Sequence, residues 1–151
     1  MTQFTRNLKK KKGFTLVEVI IVLVILAILA AILIPSLVGY IDKANEKASI
    51  ANCRSFVLAA QTIGSETYGE KGAFPEDSKM PETDKTEFIN KVFALSELDS
   101  AKFKGEITMT PKGKVSEVKF DDGSYIVTFT GSNYEVAGTY TALTKSSLTI
   151  K

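Results

Sequence analysis

Few side chains in this 151-residue chain are equipped for bond chemistry. It has no histidine, and Cys53 is its single cysteine. Neither a Cys/His metal site nor a Cys–His catalytic pair can therefore form within one chain, and no intramolecular disulfide can close. No phosphate-cradling glycine loop, nucleotide fingerprint or catalytic triad is present, and an acid–base enzyme needs a carboxylate pair that the sequence does not mark out. One carboxylate stands apart. Glu18 lies at the start of an apolar run in which residues 19–41 carry no charge. An ionised group in such a run costs roughly 3 kcal/mol or more at the bilayer centre and less near the interface, so Glu18 calls for a partner.

The elements that position Glu18 follow from its surroundings. As a helix the uncharged run is about 34 Å long, enough to cross a hydrocarbon core about 30 Å thick. Before it, Arg6 and Lys9, Lys10, Lys11 and Lys12 form a basic flank containing no acid. The positive-inside bias keeps that flank cytoplasmic and puts everything after Ile41 on the other side of the membrane. The run is longer than the usual core of a secretory signal and no A-x-A pattern closes it, so ordinary signal-peptide removal is not expected. Pro35 inside the run would break or bend a soluble helix but is tolerated in a membrane helix, where neighbouring groups satisfy the freed carbonyl.

The stretch Lys9-Lys10-Lys11-Lys12-Gly13-Phe14-Thr15-Leu16-Val17-Glu18, with the apolar run behind it, resembles the N-terminal motif of type IV prepilins. Pseudopilins of type II secretion and DNA-uptake machines share that motif. The resemblance implies that the lysines belong to a leader, that a membrane-embedded prepilin peptidase cuts between Gly13 and Phe14, and that Phe14 is then N-methylated. It implies that Glu18, fifth in the mature chain, pairs with the amino terminus of a neighbouring subunit's Phe14 during assembly. The chemistry is consistent: cleavage creates a cation where an intramembrane carboxylate lacks one, and a methylated amine keeps its charge. Pro35 matches the place where pilin helices kink or partly melt in the filament. Two plainer readings stand beside these. Glu18 could serve only the helix dipole, and Gly13 could be only a flexible joint.

Net charge qualifies the partners. Residues 1–13 hold five of the 19 basic residues and no acid, so the remainder, with 14 basic and 17 acidic residues, is about −3. A basic nucleic-acid-binding surface is not indicated for the mature chain. Pilins that close a C-terminal loop with a disulfide differ from this chain, whose lone Cys53 reads as a small helix residue.

Beyond the apolar run the helical pattern continues to about residue 68. Leu37, Ile41, Ala44, Ala48, Ala51, Leu58 and Ala59 mark one face, and Ile50, Cys53 and Val57 a narrower strip opposite. One face would hold a globular domain and the other would be free to meet neighbouring subunits, or both would be buried in one monomer. Gly64 weakens the helix end, and the stretch Tyr68 to Gly72 is expected to stop it. Residues 69–83, with Pro75 and Pro81, read as a loop. Asp84, with Glu87 three residues on, is expected to cap a second helix over 84–98 whose apolar face is Phe88, Ile89, Val92, Phe93 and Leu95. Short β-prone runs follow at 106–110, 114–120, 125–130 and 134–140, with 147–150 as a possible edge and turns at Asp121-Asp122-Gly123 and Gly131-Ser132-Asn133. Asp121 and Asp122, with Asn133, are weak candidates for calcium, since adjacent acids in a tight turn are usually turn chemistry.

The fold class expected is α+β, with a long N-terminal helix whose second half packs on a C-terminal antiparallel sheet, and the resemblance implies the pilin fold. The organisation expected is a leader over 1–13, an apolar assembly helix over 14–41, the rest of that helix over 42–68 and a head over 69–151. The function implied by the resemblance is structural, not enzymatic, with no cofactor and no resident metal: a subunit, with the size of a major one, of a type IV pilus. Its partners would be further copies of itself, prepilin peptidase, a membrane platform and an assembly ATPase. It would sit in the cytoplasmic membrane as a precursor and in a surface filament afterwards, with adhesion, motility, aggregation and DNA capture all open. The alternatives are a pseudopilin of secretion or DNA uptake, and a membrane-anchored binding module that never polymerises.

Overall fold

The computed structural model describes residues 13–76, 79–137 and 141–151. Arg6, the leader lysines Lys9 to Lys12 and the far end of the strand expected over 134–140 lie outside the described residues. The chain divides into two units, Met1–Ile41 and Asp42–Lys151.

In the first unit the apolar run is helical from Leu16 onward and every described residue is exposed. By length and composition the helix can cross a membrane. This helix, α1 (Leu16–Lys71), continues through Pro35 and into the second unit. It ends a turn beyond the expected residue 68. Gly69 is accommodated within it, and Gly72, at φ 70°, closes it with its N–H on the Tyr68 carbonyl at 2.9 Å.

The second unit is built on the C-terminal half of α1. The narrow strip holds the domain: Ile50 is half-buried, Cys53 and Val57 are buried, and Phe56, Ala60 and Gly64 are buried beside them, whereas of the wide face only Ala59 is buried and Leu37, Ile41, Ala44, Ala48, Ala51 and Leu58 stay exposed. Alanines offer little apolar area, and the aromatic ring of Phe56 decides which side is covered. That ring lies 5.0 Å from Phe93 and 5.5 Å from Phe120, centroid to centroid. Gly105 makes the approach possible, because a Cβ there would stand 2.3 Å from the Phe56 ring.

Helix α2 (Glu82–Ser96) starts two residues before the expected position. Pro81 occupies its N-cap and its carbonyl accepts the Asp84 and Lys85 N–H groups. Asp84 therefore sits in the first turn and is not the cap, because a proline with preset φ begins the helix first. Glu87 pairs with Lys91 at 2.8 Å instead of reaching back. Phe88, Ile89, Val92 and Phe93 are buried as expected, but Leu95 is not. The helix closes with Glu97 at φ 58°, where the Glu97 and Leu98 N–H groups reach the Ala94 and Phe93 carbonyls. In the connection to α2, Phe74 is buried edge-on against Phe88.

Strands β1 (Lys104–Met109), β2 (Val115–Asp121), β3 (Ile126–Phe129), β4 (Tyr134–Val136) and β5 (Ser147–Ile150) form one sheet in the order β4-β3-β2-β1-β5. Ile107, Met109, Val118, Phe120, Val127, Phe129, Leu148 and Ile150 turn one face to the core with α1 and α2. Successive hairpins make the first four strands antiparallel, but β5 runs parallel to β1. The sheet is thus not wholly antiparallel. Three reversals leave β4 ending where β1 begins, so a connection along that end enters β5 in the direction of β1. Tyr125 lies in the turn before β3, and its hydroxyl donates to the Asp42 carbonyl at 3.4 Å.

Candidate functional site

The start of α1 is fixed by Thr15. Its hydroxyl accepts the Glu18 N–H at 3.2 Å and its carbonyl accepts the Val19 N–H at 3.3 Å, which makes Thr15 the N-cap. The signal was present in the sequence as Thr15-Leu16-Val17-Glu18, the spacing of a capping box, and Thr15 was not among the expected site residues. Gly13 and Phe14 precede the helix in exposed chain; among the described residues nothing lies within 4 Å of a Cβ built on Gly13, and Phe14 is 84% exposed. Glu18 falls in the first turn, where the helix dipole favours a carboxylate. It borders a shallow apolar groove shared with Phe14, Val19, Val22 and Leu23. Among the described residues no cation pairs with it. The cap, the carboxylate and the Gly13–Phe14 bond are thereby gathered within one turn of the end of an unburied apolar helix.

The remaining candidates lie in the second unit. The Asp121 carboxylate is buried and accepts the Gly123 and Leu143 N–H groups, each at 2.8 Å. Asp122 accepts the Ser124 and Tyr125 N–H groups and the Ser49 hydroxyl. These are turn and tether roles. Asn133 belongs to the separate β3–β4 turn, where its carbonyl accepts the Thr130 N–H at 3.1 Å. Among the described residues no three His, Cys, Asp or Glu side chains gather as metal ligands do.

Burial pushes the Cys53 thiol up to about 12, so it stays neutral and unreactive at physiological pH. Tyr134 is raised as well, first by burial and then by nearby Cys53, against the opposing Arg54 guanidinium 5.0 Å from its ring. On α2 the Glu87–Lys91 hydrogen bond and charge attraction lower the one and raise the other.

The family model of the prokaryotic N-terminal methylation motif matches residues 8–34. The fimbrial protein EcpC of Eikenella corrodens is 34% identical over 107 residues, covering 68% of this chain and 63% of that protein. The type II secretion system core protein G of Vibrio cholerae is 40% identical over 47 residues, 31% of this chain and 32% of the other. The type IV wide pilus major component PilA4 of Thermus thermophilus is 51% identical over 39 residues, 26% and 30% of the two chains. The chain thus spans 32% of the length of the Vibrio protein and 63% of the fimbrial protein it matches. No solved structure matches.

Proposed function

We propose that this chain, which belongs to the prepilin-like family, is a structural subunit of a type IV pilus and acts without catalysis of its own. The observation that carries the reading is an apolar run at the start of α1, exposed at every described residue and uncharged over 19–41, with one carboxylate in its first turn. Lipid covers that surface in the precursor, and the helices of other copies cover it in the filament. Prepilin peptidase cuts between Gly13 and Phe14 and methylates Phe14. The Phe14 amine of one copy then neutralises Glu18 of another and selects the register in which the helices pack. Pro35 marks the place where α1 kinks or partly melts as it leaves lipid. The leader remains cytoplasmic and the second unit faces outward. A platform and an assembly ATPase drive extraction into the surface filament.

The test is the N-terminal mass of the protein in sheared surface material and in membranes. A chain beginning at methylated Phe14 in the sheared fraction is expected. An intact Met1 start confined to membranes of a peptidase-competent cell would refute the reading. A second reading, a pseudopilin of type II secretion, draws on the similarity to core protein G. A processed chain found only in membranes would favour it.

A further inference from the structure

Two large apolar side chains of the second unit have no place in its core. Leu58 and Leu95 are 68% and 51% exposed, and both line a groove between α1 and the end of α2, together with Ser55, Thr62 and Glu97. Glu97 is anomalous in its own way. It adopts φ 58°, a conformation that favours glycine or asparagine, and its exposed carboxylate makes no ion pair with any described residue. One and two turns beyond Thr62 on α1 stand Glu66 and Glu70, both exposed. Lys91 feels their charge but is itself paired with Glu87. The groove therefore has an apolar floor and an acidic rim.

The complement lies on the same chain. Lys43, Lys47 and Arg54 form a single exposed strip on α1, roughly a quarter turn around the helix from the groove. Arg54 is held by the Tyr134 ring, and with Lys47 it borders a small apolar hollow at Ile50 and Ala51. Lys43 and Lys47 are like charges at i and i+4, and so are Glu66 and Glu70. Both pairs weaken an isolated helix. A second copy turns both repulsions into attractions if its basic strip meets the acidic rim.

We propose that this groove receives the Lys43/Lys47/Arg54 strip of a second copy of the chain. The inference rests on the filament-subunit reading and adds to it a contact between outer units, separate from the apolar helix. Lys47 and Leu58 stand about 16 Å apart along the helix, which sets the stagger between copies. Donor and acceptor surfaces differ, so the contact is head-to-tail and propagates into an open polymer instead of closing as a dimer. Leu58 and Leu95 supply the apolar contact, and the charges fix register and exclude the reversed orientation.

The test uses the full chain expressed in cells that assemble it. Lys43→Glu/Lys47→Glu and Glu66→Lys/Glu97→Lys are made separately and together, and fibre yield in the sheared fraction is read against the amount of processed protein. Each pair of reversals alone is expected to lower the yield about tenfold at unchanged protein level, and the combination to restore at least half of it. Indifference to both pairs overturns the contact. So does a loss from the acidic reversal that the basic one does not rescue, because the groove then takes a different partner. Glu97→Gly guards against misfolding as the explanation. Relief of the positive φ is expected to raise the thermal midpoint while the yield falls, and a raised midpoint with full yield counts against the proposal. Wild-type chain absent from sheared material overturns the filament reading and this contact with it, whereas wild-type fibres with indifferent variants overturn the contact alone.

Discussion

At the scale of single residues, Glu18 carries the proposed assembly. A carboxylate in the first turn of an apolar helix is helped by the dipole and by the Thr15 cap, yet among the described residues it has no cation. Glu18→Ala is therefore expected to insert and be processed normally while fibre yield drops by at least about tenfold, since removing one partner of a desolvated pair costs about 3–5 kcal/mol. Wild-type fibre yield from that variant alone would sink the pairing. Gly13→Val is expected to leave an uncleaved precursor in the membrane, and a mature-size product would refute the cut site. Glu18 was legible because a charge inside an uncharged run is conspicuous. Thr15 was legible only as half of a capping box, a short local pattern beside a long apolar run. Cys53 makes a different case. Its folded value of about 12 exceeds the ordinary thiol value of 9.0, so the folded state keeps a proton that the unfolded state releases. The associated stability is fully present below pH 9 and declines as pH rises toward 12, by up to about 1.4 kcal/mol per unit. Alkaline unfolding of Cys53→Ala, compared with wild type, should lack this part of the decline. An identical decline in both proteins would show that the thiol does not titrate as described.

At the scale of elements, α1 joins the sheet through polar contacts as well as apolar ones. Gln61 accepts the Val115 N–H at 3.0 Å and donates to the Gly113 carbonyl at 3.2 Å, so one helix side chain satisfies two backbone groups of the β1–β2 turn. Gln61→Ala leaves that N–H without its partner and is expected to cost about 1–3 kcal/mol in denaturant unfolding. Gln61→Glu, which keeps the acceptor and the shape, should recover part of the loss, and equal loss in both variants would show that the bond from Val115 contributes nothing. Gly64 serves the same junction by having no side chain. A Cβ there would lie 2.6 Å from the Gly113 carbonyl oxygen, which is backbone and cannot swing aside. Much of this arrangement was readable beforehand: the long helix, a second helix, and strands whose residues alternate. Other parts were hidden for physical reasons. Which strip of α1 packs depended on Phe56 finding room above Gly105, a long-range fit that periodicity does not encode. The start of α2 depended on Pro81 acting before Asp84, a competition between two local start signals. The parallel pairing of β5 depended on which end of the sheet the last connection follows, and runs of β-prone residues carry no direction.

At the scale of the whole molecule, the two units have opposite relations to solvent. Every described residue before Ser49 is exposed, and the hydrophobic core begins at Cys53. The first unit thus owes its place to an apolar environment that a membrane or other helices must supply, and the second carries its own core. A chain starting at Asp42 keeps Phe56 against Phe93 and Phe120, the Gln61 contacts and all five strands, and of the described residues it loses only exposed ones. Such a piece is expected to be a monomer in water with a single cooperative urea transition, of slope on the order of 1–3 kcal/mol per molar urea. The full chain should require detergent or lipid. In the shortened piece Asp42 would also favour the new helix N-terminus. A broad, non-cooperative loss of structure, with exposed apolar surface already present in water, would show that the second unit depends on the first. Cooperative folding of the piece would fit a chain whose apolar helix exchanges lipid for protein while the rest stays folded. Extraction from the membrane would then cost only the exchange of surroundings along one helix, a difference that helix packing and the proposed Phe14–Glu18 pairing would have to offset.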